Sequence, residues 1–211
     1  MEVTHIIFDL DGTLVDSRFE MISTYKKVFA QLPPVNNINA ETLDFGAALP
    51  VILESVYGKN EILIEKGKSL FIGYYDNSTY EQTSLYPKVI ETLEYLNKKG
   101  FVLHIATNKR MTPTVKILKA KQIFSFFKSI ETSDSRKEKL TSKAAMVSEI
   151  CKKFNIKKGF MVGDSIPDIE AGENCGLATI AALYGYEKKE NLLEKTPKFA
   201  IHQFKEISTL L

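Results

Sequence analysis

Near its N-terminus the chain reads His5-Ile6-Ile7-Phe8-Asp9-Leu10-Asp11-Gly12-Thr13-Leu14-Val15-Asp16, a short apolar run followed by acidic and turn-forming residues. A run this short, ended by Gly12, predicts a strand that is buried on both faces. Because residues i and i+2 of an extended chain point the same way, Asp9 and Asp11 can face one ligand. Gly12 lets the backbone turn sharply and approach that ligand closely. Two neighbouring anions repel each other, so the pair indicates a bound cation or a catalytic role.

The composition excludes several classes of partner. The 211 residues include 28 basic and 26 acidic side chains, which gives a net charge of +2. This balance gives no support for a nucleic-acid or membrane surface. The apolar runs are far shorter than the ~20 residues that span a bilayer. The N-terminus enters the first strand almost directly and lacks the basic-then-apolar pattern of a signal peptide.

The two cysteines, Cys151 and Cys175, have neither the spacing of a metal site nor that of a disulfide framework. We therefore predict two free thiols, which fits a cytoplasmic protein.

Residues 17–83 differ in pattern from the rest of the chain. Apolar residues recur at helical spacing over 17–30, and further helical segments are predicted over 47–57 and 60–76. No β-rich run occurs between them. We interpret 17–83 as a small all-helical insertion.

From residue 86 onward, strand and helix patterns alternate. With the first strand, four further strand candidates over 101–106, 128–131, 160–162 and 178–182 predict five strands in all. Such alternation is typical of an α/β fold, a Rossmann-like parallel sheet with helices on both faces. Ligands of such sheets bind at the carboxyl ends of the strands.

Polar residues follow two of these strands at that point. Thr107, Asn108 and Lys109 follow the second strand, where a hydroxyl and backbone N–H groups can bind an anion. Asp164 and Asp168 follow the fourth strand. Carboxylate oxygens are ligands for a hard cation such as Mg²⁺, so the sequence predicts a magnesium site.

One lysine completes the set. Lys143 lies in the first turn of a predicted helix, where a cation is disfavoured unless anions lie opposite. Lys139 is the competing candidate for the same role.

Taken together, these residues resemble the four motifs of the haloacid dehalogenase superfamily. Asp9-Leu10-Asp11-Gly12-Thr13 matches the first motif, Thr107 the second, Lys143 the third, and Asp164 with Asp168 the fourth. The resemblance covers nearly the whole chain. It implies a phospho-aspartate mechanism with Mg²⁺ as cofactor and a small phosphorylated molecule as substrate.

The resemblance also implies a role for each residue. Asp9 would be the nucleophile, and Asp11 would donate a proton to the leaving group and then activate water. The metal ligands would be the side chains of Asp9 and Asp164 and the backbone carbonyl of Asp11. Asp168 would orient a water ligand or Lys143. Substrate binding would involve Gly12, Thr107, Asn108 and Lys143, of which Thr107 and Lys143 would hold the phosphoryl oxygens during catalysis.

Asp11 narrows the type of reaction that the resemblance implies. Dehalogenases expel halide, which needs no proton, and they lack a residue equivalent to Asp11. The sequence therefore favours phosphoryl transfer.

The insertion occupies the place of the helical cap of one family branch. The segment 45–49 and Tyr57-Gly58 resemble phosphoglycolate-phosphatase-like members. The expected organisation is a core domain of 1–16 and 84–211 with a cap domain of 17–83. Phosphoglycolate, a sugar phosphate and a nucleotide monophosphate stay open as substrates.

Two alternatives belong to other classes. A phosphomutase of the β-phosphoglucomutase type shares the nucleophile, although its first motif usually has an apolar residue where this chain has Thr13. A phospho-accepting receiver domain is disfavoured because its phosphorylated aspartate follows a later strand. The sequence leaves monomer and homodimer open.

Overall fold

The computed structural model describes residues 4–36, 38–135 and 142–211. The chain divides into two compact units. Unit 1 comprises Met1–Asp16 and Ser84–Leu211, and unit 2 comprises Ser17–Thr83. The assignment of these units as core domain and cap domain stays a prediction.

The described residues form strands and helices that alternate along much of the chain. The strands are β1 (His5–Phe8), β2 (Val15–Asp16), β3 (Ser84–Leu85), β4 (Val102–Thr107), β5 (Phe127–Thr132), β6 (Gly159–Gly163), β7 (Ala178–Ala182) and β8 (Phe199–Ile201). The α-helices are α1 (Arg18–Gln31), α2 (Leu49–Tyr57), α3 (Glu61–Asp76), α4 (Val89–Lys98), α5 (Met111–Ala120), α6 (Lys143–Phe154), α7 (Ile166–Asn174), α8 (Lys189–Glu194) and α9 (Ile207–Leu210).

A parallel sheet of order β5-β4-β1-β6-β7-β8 organises unit 1. β1 lies in its interior, where Phe8 pairs with Ile105 on one side and Val162 on the other. Ile6, Ile7 and Phe8 have no solvent exposure, as expected for a strand covered on both faces. This register brings the carboxyl ends of β1, β4 and β6 to one edge of the sheet.

The predicted α/β class with a parallel sheet is confirmed, with six strands in place of the expected five. The additional strand, β8, pairs with β7 at the edge of the sheet. With only three residues, β8 has too little alternation to be distinguished by sequence pattern. Its conformation is fixed by its pairing with β7.

Helix α6 covers part of one face of this sheet. Met146, Val147 and Ile150 of that helix pack with Ile7 and Met161 in a fully buried cluster. This packing fixes the position of the first residue of α6, Lys143.

Helix α4 begins at Val89, directly after Lys88, which has a left-handed φ of +68°. A two-stranded antiparallel ribbon of β2 and β3 precedes it, which the sequence pattern did not predict because each strand has two residues.

Within its described residues, unit 2 contains helices and connecting segments and no strand. Tyr25 and Phe71 pack with ring centroids 4.6 Å apart, and the Tyr57 hydroxyl donates to the Leu32 carbonyl oxygen over 2.8 Å. Glu20 is buried and accepts hydrogen bonds from the Ser78 hydroxyl and from the Gln82 N–H, the latter over 3.0 Å. Its carboxylate thereby joins the first and last segments of the unit.

None of the helices within the described ranges has the length and apolar character needed to cross a bilayer.

Candidate active site

The backbone after β1 forms a compact turn that presents the two aspartates. The carbonyl oxygen of Leu10 accepts from the N–H groups of Leu14 and Val15 over 2.9 and 3.0 Å. Gly12 has a φ of +81°, a conformation that side chains disfavour. The turn thus depends on glycine at the position where the sequence has it.

Asp9 follows β1 directly and is anchored on both its backbone and its side chain. Its N–H donates to the Val162 carbonyl oxygen over 2.9 Å, and its Oδ1 accepts from Lys143 Nζ over 2.5 Å. Only 8% of Asp9 is exposed. A nearly buried carboxylate is therefore held against a single cation.

Lys143 links Asp9 to a second carboxylate. Its Nζ lies 2.9 Å from Asp168 Oδ1 and donates to the Ala106 carbonyl oxygen over 2.9 Å. The ammonium group therefore donates hydrogen bonds to Asp9 and to the Ala106 carbonyl oxygen, and it forms an ion pair with Asp168. The N-terminal location of Lys143 on α6 is thus compensated by the two carboxylates and one carbonyl oxygen that face it.

Asp168 is also bonded within its own helix. Its Oδ2 accepts from the Ser165 N–H over 3.1 Å and from the Ser165 hydroxyl over 2.6 Å, which caps the first turn of α7. Asp168 therefore fixes the orientation of Lys143 relative to that turn.

The Asp164 carboxylate is held by two hydrogen bonds and lies very close to two glycines. Thr13 Oγ1 donates to its Oδ1 over 2.9 Å, and the Tyr186 N–H donates to its Oδ2 over 2.8 Å. A Cβ at Gly12 would lie 2.0 Å from Oδ2, and a Cβ at Gly185 would lie 2.4 Å from the same atom. Two glycines are therefore required for this carboxylate to occupy its place.

The three carboxylates form one cluster with the donor set of a metal site. Ligand oxygens of Asp9, Asp164 and Asp168 all lie within 4.8 Å of one another. The cluster contains three acidic groups and one buried ammonium group, so it is net anionic when all three carboxyl groups are ionised. All-oxygen donors and excess negative charge fit a hard divalent cation such as Mg²⁺.

Burial, and after it the charges of the neighbouring aspartates, shift the carboxyl pKa values of this cluster. Burial raises the pKa of Asp9 to about 7, against the opposing effect of Lys143. Burial, followed by the charges of Asp9 and Asp168, raises the pKa of Asp164 well above its ordinary value. Burial acts to lower the pKa of Lys143, but the charges of Asp168 and Asp9 outweigh it and raise that pKa. A bound divalent cation would favour the ionised carboxylates.

The residues at the end of β4 and directly after it lie at the same edge. Thr107 is buried, and its Oγ1 accepts from the Lys109 N–H over 3.2 Å. Asn108 is exposed, and its carbonyl oxygen accepts from the Ser133 hydroxyl over 3.0 Å. Lys109 Nζ lies 3.0 Å from Asp11 Oδ2.

The structure thus brings Asp9, Lys143, Asp164 and Asp168 into one connected cluster, and it pairs Asp11 with Lys109. Lys139 lies outside the described residues.

Sequence reasoning missed the segment that follows β7. The Tyr184 hydroxyl donates to the Thr13 carbonyl oxygen over 2.8 Å, and the Tyr186 N–H bonds Asp164. The available signal was a glycine between two tyrosines just after a predicted strand end, which is where such sheets bind ligands.

Known proteins resemble this chain in both sequence and fold. Residues 6–182 match the sequence profile of the haloacid dehalogenase-like hydrolase family. A phosphoglycolate phosphatase of Vibrio parahaemolyticus serotype O3:K6 is 31% identical over 217 residues, covering 98% of this chain and 95% of the relative. One from Aquifex aeolicus is 30% identical, covering 98% and 95%. A haloacid dehalogenase-like hydrolase structure from Streptococcus pneumoniae has a TM-score of 0.88 at 25% identity, covering 99% and 98%.

Fold, site and relatives define the class of the protein as a phosphatase, an enzyme that hydrolyses phosphate monoesters. The chain belongs to the haloacid dehalogenase-like hydrolase family.

Proposed function

We propose that this phosphatase is Mg²⁺-dependent and hydrolyses a small phosphorylated metabolite through a phospho-aspartate on Asp9. The observation that carries the proposal is the buried cluster in which Asp9 lies against Lys143 and within 4.8 Å of Asp164 and Asp168. We name phosphoglycolate as the first candidate substrate because relatives that align with nearly the whole chain are phosphoglycolate phosphatases. Sugar phosphates and nucleotide monophosphates are the other candidates.

In the first step, a carboxylate oxygen of Asp9 attacks phosphorus while the bond from phosphorus to the ester oxygen breaks. Two unit charges ~3.5 Å apart repel by roughly 5 kcal/mol at an effective dielectric of about 20, and a phosphate dianion doubles that cost. Lys143 offsets part of this repulsion. Asp11 donates a proton to the leaving alkoxide oxygen, so that a neutral alcohol departs.

In the second step, Asp11, now a carboxylate, accepts a proton from a water molecule. The oxygen of that water attacks phosphorus, and the bond between phosphorus and the Asp9 oxygen breaks. Inorganic phosphate is released and Asp9 is regenerated as a carboxylate. Thr107 and Lys143 hold the phosphoryl oxygens through both steps.

The Mg²⁺ ion would be held by the side chains of Asp9 and Asp164 and by the backbone carbonyl of Asp11. When bound, it supplies positive charge to the phosphoryl oxygens and thereby stabilises the transition state. Asp168 acts through Lys143, because its Oδ1 lies 2.9 Å from Lys143 Nζ and its Oδ2 accepts hydrogen bonds from Ser165.

Unit 2 would serve as the cap that shields the phospho-aspartate from bulk water. The two free thiols favour a reducing compartment, and we propose the cytoplasm. The proposed partner is the small substrate alone, with neither a nucleic acid nor a membrane, and the protein would act as a monomer or homodimer.

The test is a panel of phosphorylated metabolites assayed for phosphate release with Mg²⁺ and with chelator. We expect turnover with Mg²⁺ that Asp9→Asn abolishes, whereas the exposed Glu173→Gln on the same helix as Asp168 retains it. Intact-mass analysis of rapidly quenched enzyme should detect one added phosphoryl group. A tenth or more of the activity in Asp9→Asn would refute the assignment of the nucleophile.

Product analysis decides between hydrolysis and a phosphomutase reaction. Sugar phosphates are incubated with the enzyme, and both inorganic phosphate and isomeric sugar phosphate are measured. Isomer formation in excess of phosphate would identify a mutase and overturn the proposal.

Metal binding has a test that does not depend on turnover. Calorimetric titration of the whole protein with Mg²⁺ should show one binding event, which Asp164→Asn weakens strongly. Equal affinity in both proteins would contradict the proposed ligand set.

A further inference from the structure

Lys109 and Asp11 form an ion pair that the proposed chemistry leaves unexplained. Lys109 Nζ lies 3.0 Å from Asp11 Oδ2, and the two side chains are 7% and 18% exposed. A lysine side chain is rarely so well buried without a specific partner. Here the partner is the residue that exchanges protons with the leaving group.

The fold brings the two residues together. β1 and β4 are neighbouring parallel strands, so the residues after them emerge side by side at one edge. The Lys109 N–H donates to Thr107 Oγ1 over 3.2 Å, which fixes the turn from which the lysine side chain extends. The pair is therefore built on the ends of two rigid strands.

Stability alone gives little reason for such a pair. Removing two charged groups from water costs free energy that their attraction offsets only partly, so a buried ion pair is weak support for a fold. The two lysines of the site form ion pairs with different aspartates. Lys143 pairs with Asp9 and Asp168, whereas Lys109 pairs with Asp11. Each aspartate of the first motif thus has its own cation.

We propose that Lys109 is a positioning residue that holds the Asp11 carboxyl group in the orientation required for proton exchange with the leaving-group oxygen and with water. This inference depends on the proposed function, because it takes Asp11 as the general acid and base.

If Lys109 positions Asp11, its replacement should slow substrates to an extent that depends on their leaving group. Phenoxide departs poorly without a proton, whereas para-nitrophenoxide departs readily without one. The ratio kcat/KM reports the steps up to the first irreversible one, here the expulsion of the leaving group. A defect in Asp11 positioning should therefore lower kcat/KM for phenyl phosphate and spare para-nitrophenyl phosphate.

The experiment measures kcat/KM for both esters in the whole enzyme with Mg²⁺. We expect Lys109→Met to lose about 10- to 100-fold on phenyl phosphate, since misplacing a catalytic group by about 1 Å costs up to about that much. The loss on para-nitrophenyl phosphate should be less than about threefold on the same argument. Lys109→Arg, which keeps a charged donor, should restore most of the activity on phenyl phosphate.

Control variants are needed to interpret the effect of Lys109→Met. Lys128→Met changes an exposed lysine at the start of β5, and it should leave both ratios and the thermal midpoint unchanged. Asp11→Asn should show the same dependence on leaving group as Lys109→Met. In the double variant the losses on phenyl phosphate should be no larger than in Asp11→Asn alone, because both changes disable one function.

An equal loss on both esters in Lys109→Met, or no loss on either, overturns the inference when Asp11→Asn is selective for phenyl phosphate. If Asp11→Asn itself is not selective, the assigned role of Asp11 fails, and with it the proposed function. Should Lys109→Met not fold, Lys109→Gln replaces it in the same comparison, with the same outcomes.

Discussion

Lys143 Nζ lies 2.5 Å from Asp9 Oδ1, although the two residues are separated by 134 positions in the chain. Asp9 directly follows β1, an interior strand of the sheet, and Lys143 begins α6, which packs against this sheet. The ion pair therefore joins the first motif of the sequence to the third. Among the described residues, Lys143 is the only cation that forms ion pairs with the carboxylate cluster. It contacts the proposed nucleophile directly.

Lys143→Met should impair both catalysis and stability. Loss of one preorganised charge should lower kcat about 10²- to 10³-fold. The free energy of unfolding should fall by about 3–5 kcal/mol in metal-free protein, because Asp9 and Asp168 stay buried without their cation. Steady-state kinetics and urea denaturation measure the two effects.

Lys152→Met is the matched control for that variant. Lys152 lies on the same helix with a side chain that is 72% exposed, so its replacement should change neither quantity. A loss of activity in Lys139→Ala with none in Lys143→Met would transfer the proposed role to Lys139.

Gly12→Ala should displace Asp164. The added Cβ would lie 2.0 Å from Asp164 Oδ2, at a φ of +81° that also disfavours a side chain. We expect activity to fall about 100-fold or more, since displacement of a reacting or ligating group by about 1 Å costs that much. The measurement is phosphate release with saturating Mg²⁺.

Two further alanine variants separate collision from backbone strain. Gly100 has a φ of +88° and nothing within 4 Å of its Cβ position, so Gly100→Ala should lower stability and leave kcat intact. Gly185→Ala adds the collision without a left-handed φ, and it should reproduce the loss of activity. If Gly185→Ala were fully active, the close approach to Asp164 would not matter to function.

Thr13→Val should weaken Mg²⁺ binding with little change of shape. The variant removes the hydroxyl that donates to Asp164 Oδ1 over 2.9 Å. Loss of a hydrogen bond to a metal ligand typically costs about 10- to 100-fold in affinity. Calorimetric titration with Mg²⁺ measures the change.

Thr114→Val is the control, because Thr114 is equally buried. Its hydroxyl has no hydrogen-bond partner within the residues that the structure describes. The substitution should therefore leave the free energy of unfolding unchanged or raise it. Equal Mg²⁺ affinity in Thr13→Val and Thr114→Val would show that the bond to Asp164 is dispensable.

Acid should destabilise the protein through His104. This side chain is fully buried on β4, with ring nitrogens 2.9 Å from His5 Nδ1 and 2.7 Å from Ser129 Oγ. Burial, and then the charges of His5, Lys153 and Lys128, lower its pKa from 6.5 to about 3. The unfolded chain therefore binds more protons between these two values, and stability falls as the pH falls through this window.

The expected loss between pH 7 and pH 5 is about 2 kcal/mol for this one group. Urea denaturation at both pH values should show this loss of unfolding free energy in the parent protein. The loss should be smaller in His104→Gln. His202→Gln changes an exposed histidine, and it should keep the parent protein's dependence of unfolding free energy on pH. An unchanged slope in His104→Gln would assign the acid sensitivity to other groups.

The sequence predicted the class of fold well because its signals are local. The apolar run before Asp9 indicated a buried strand, and the alternation after residue 86 indicated a parallel sheet. It underestimated the sheet by one strand, because Phe199–Ile201 is too short for its pattern to be distinguished. The three-residue strand is stabilised by pairing with β7, which lies outside its own segment.

The roles of the individual site residues stay predictions. The structure adds their contacts, and two of these could not be read from the chain. The backbone N–H of Tyr186 bonds Asp164, and Lys109 bonds Asp11. Backbone donors have no sequence signature, and a lysine among 28 basic residues does not reveal its partner.

The sequence by itself determined that carboxylates, a threonine and a lysine stand at the ends of successive elements, since strand and helix boundaries follow from local periodicity and turn residues. Only the tertiary structure decided which charges meet. That choice depends on the register of neighbouring strands and on the packing of α6 against the sheet, and both are fixed by contacts between residues that are distant in the chain.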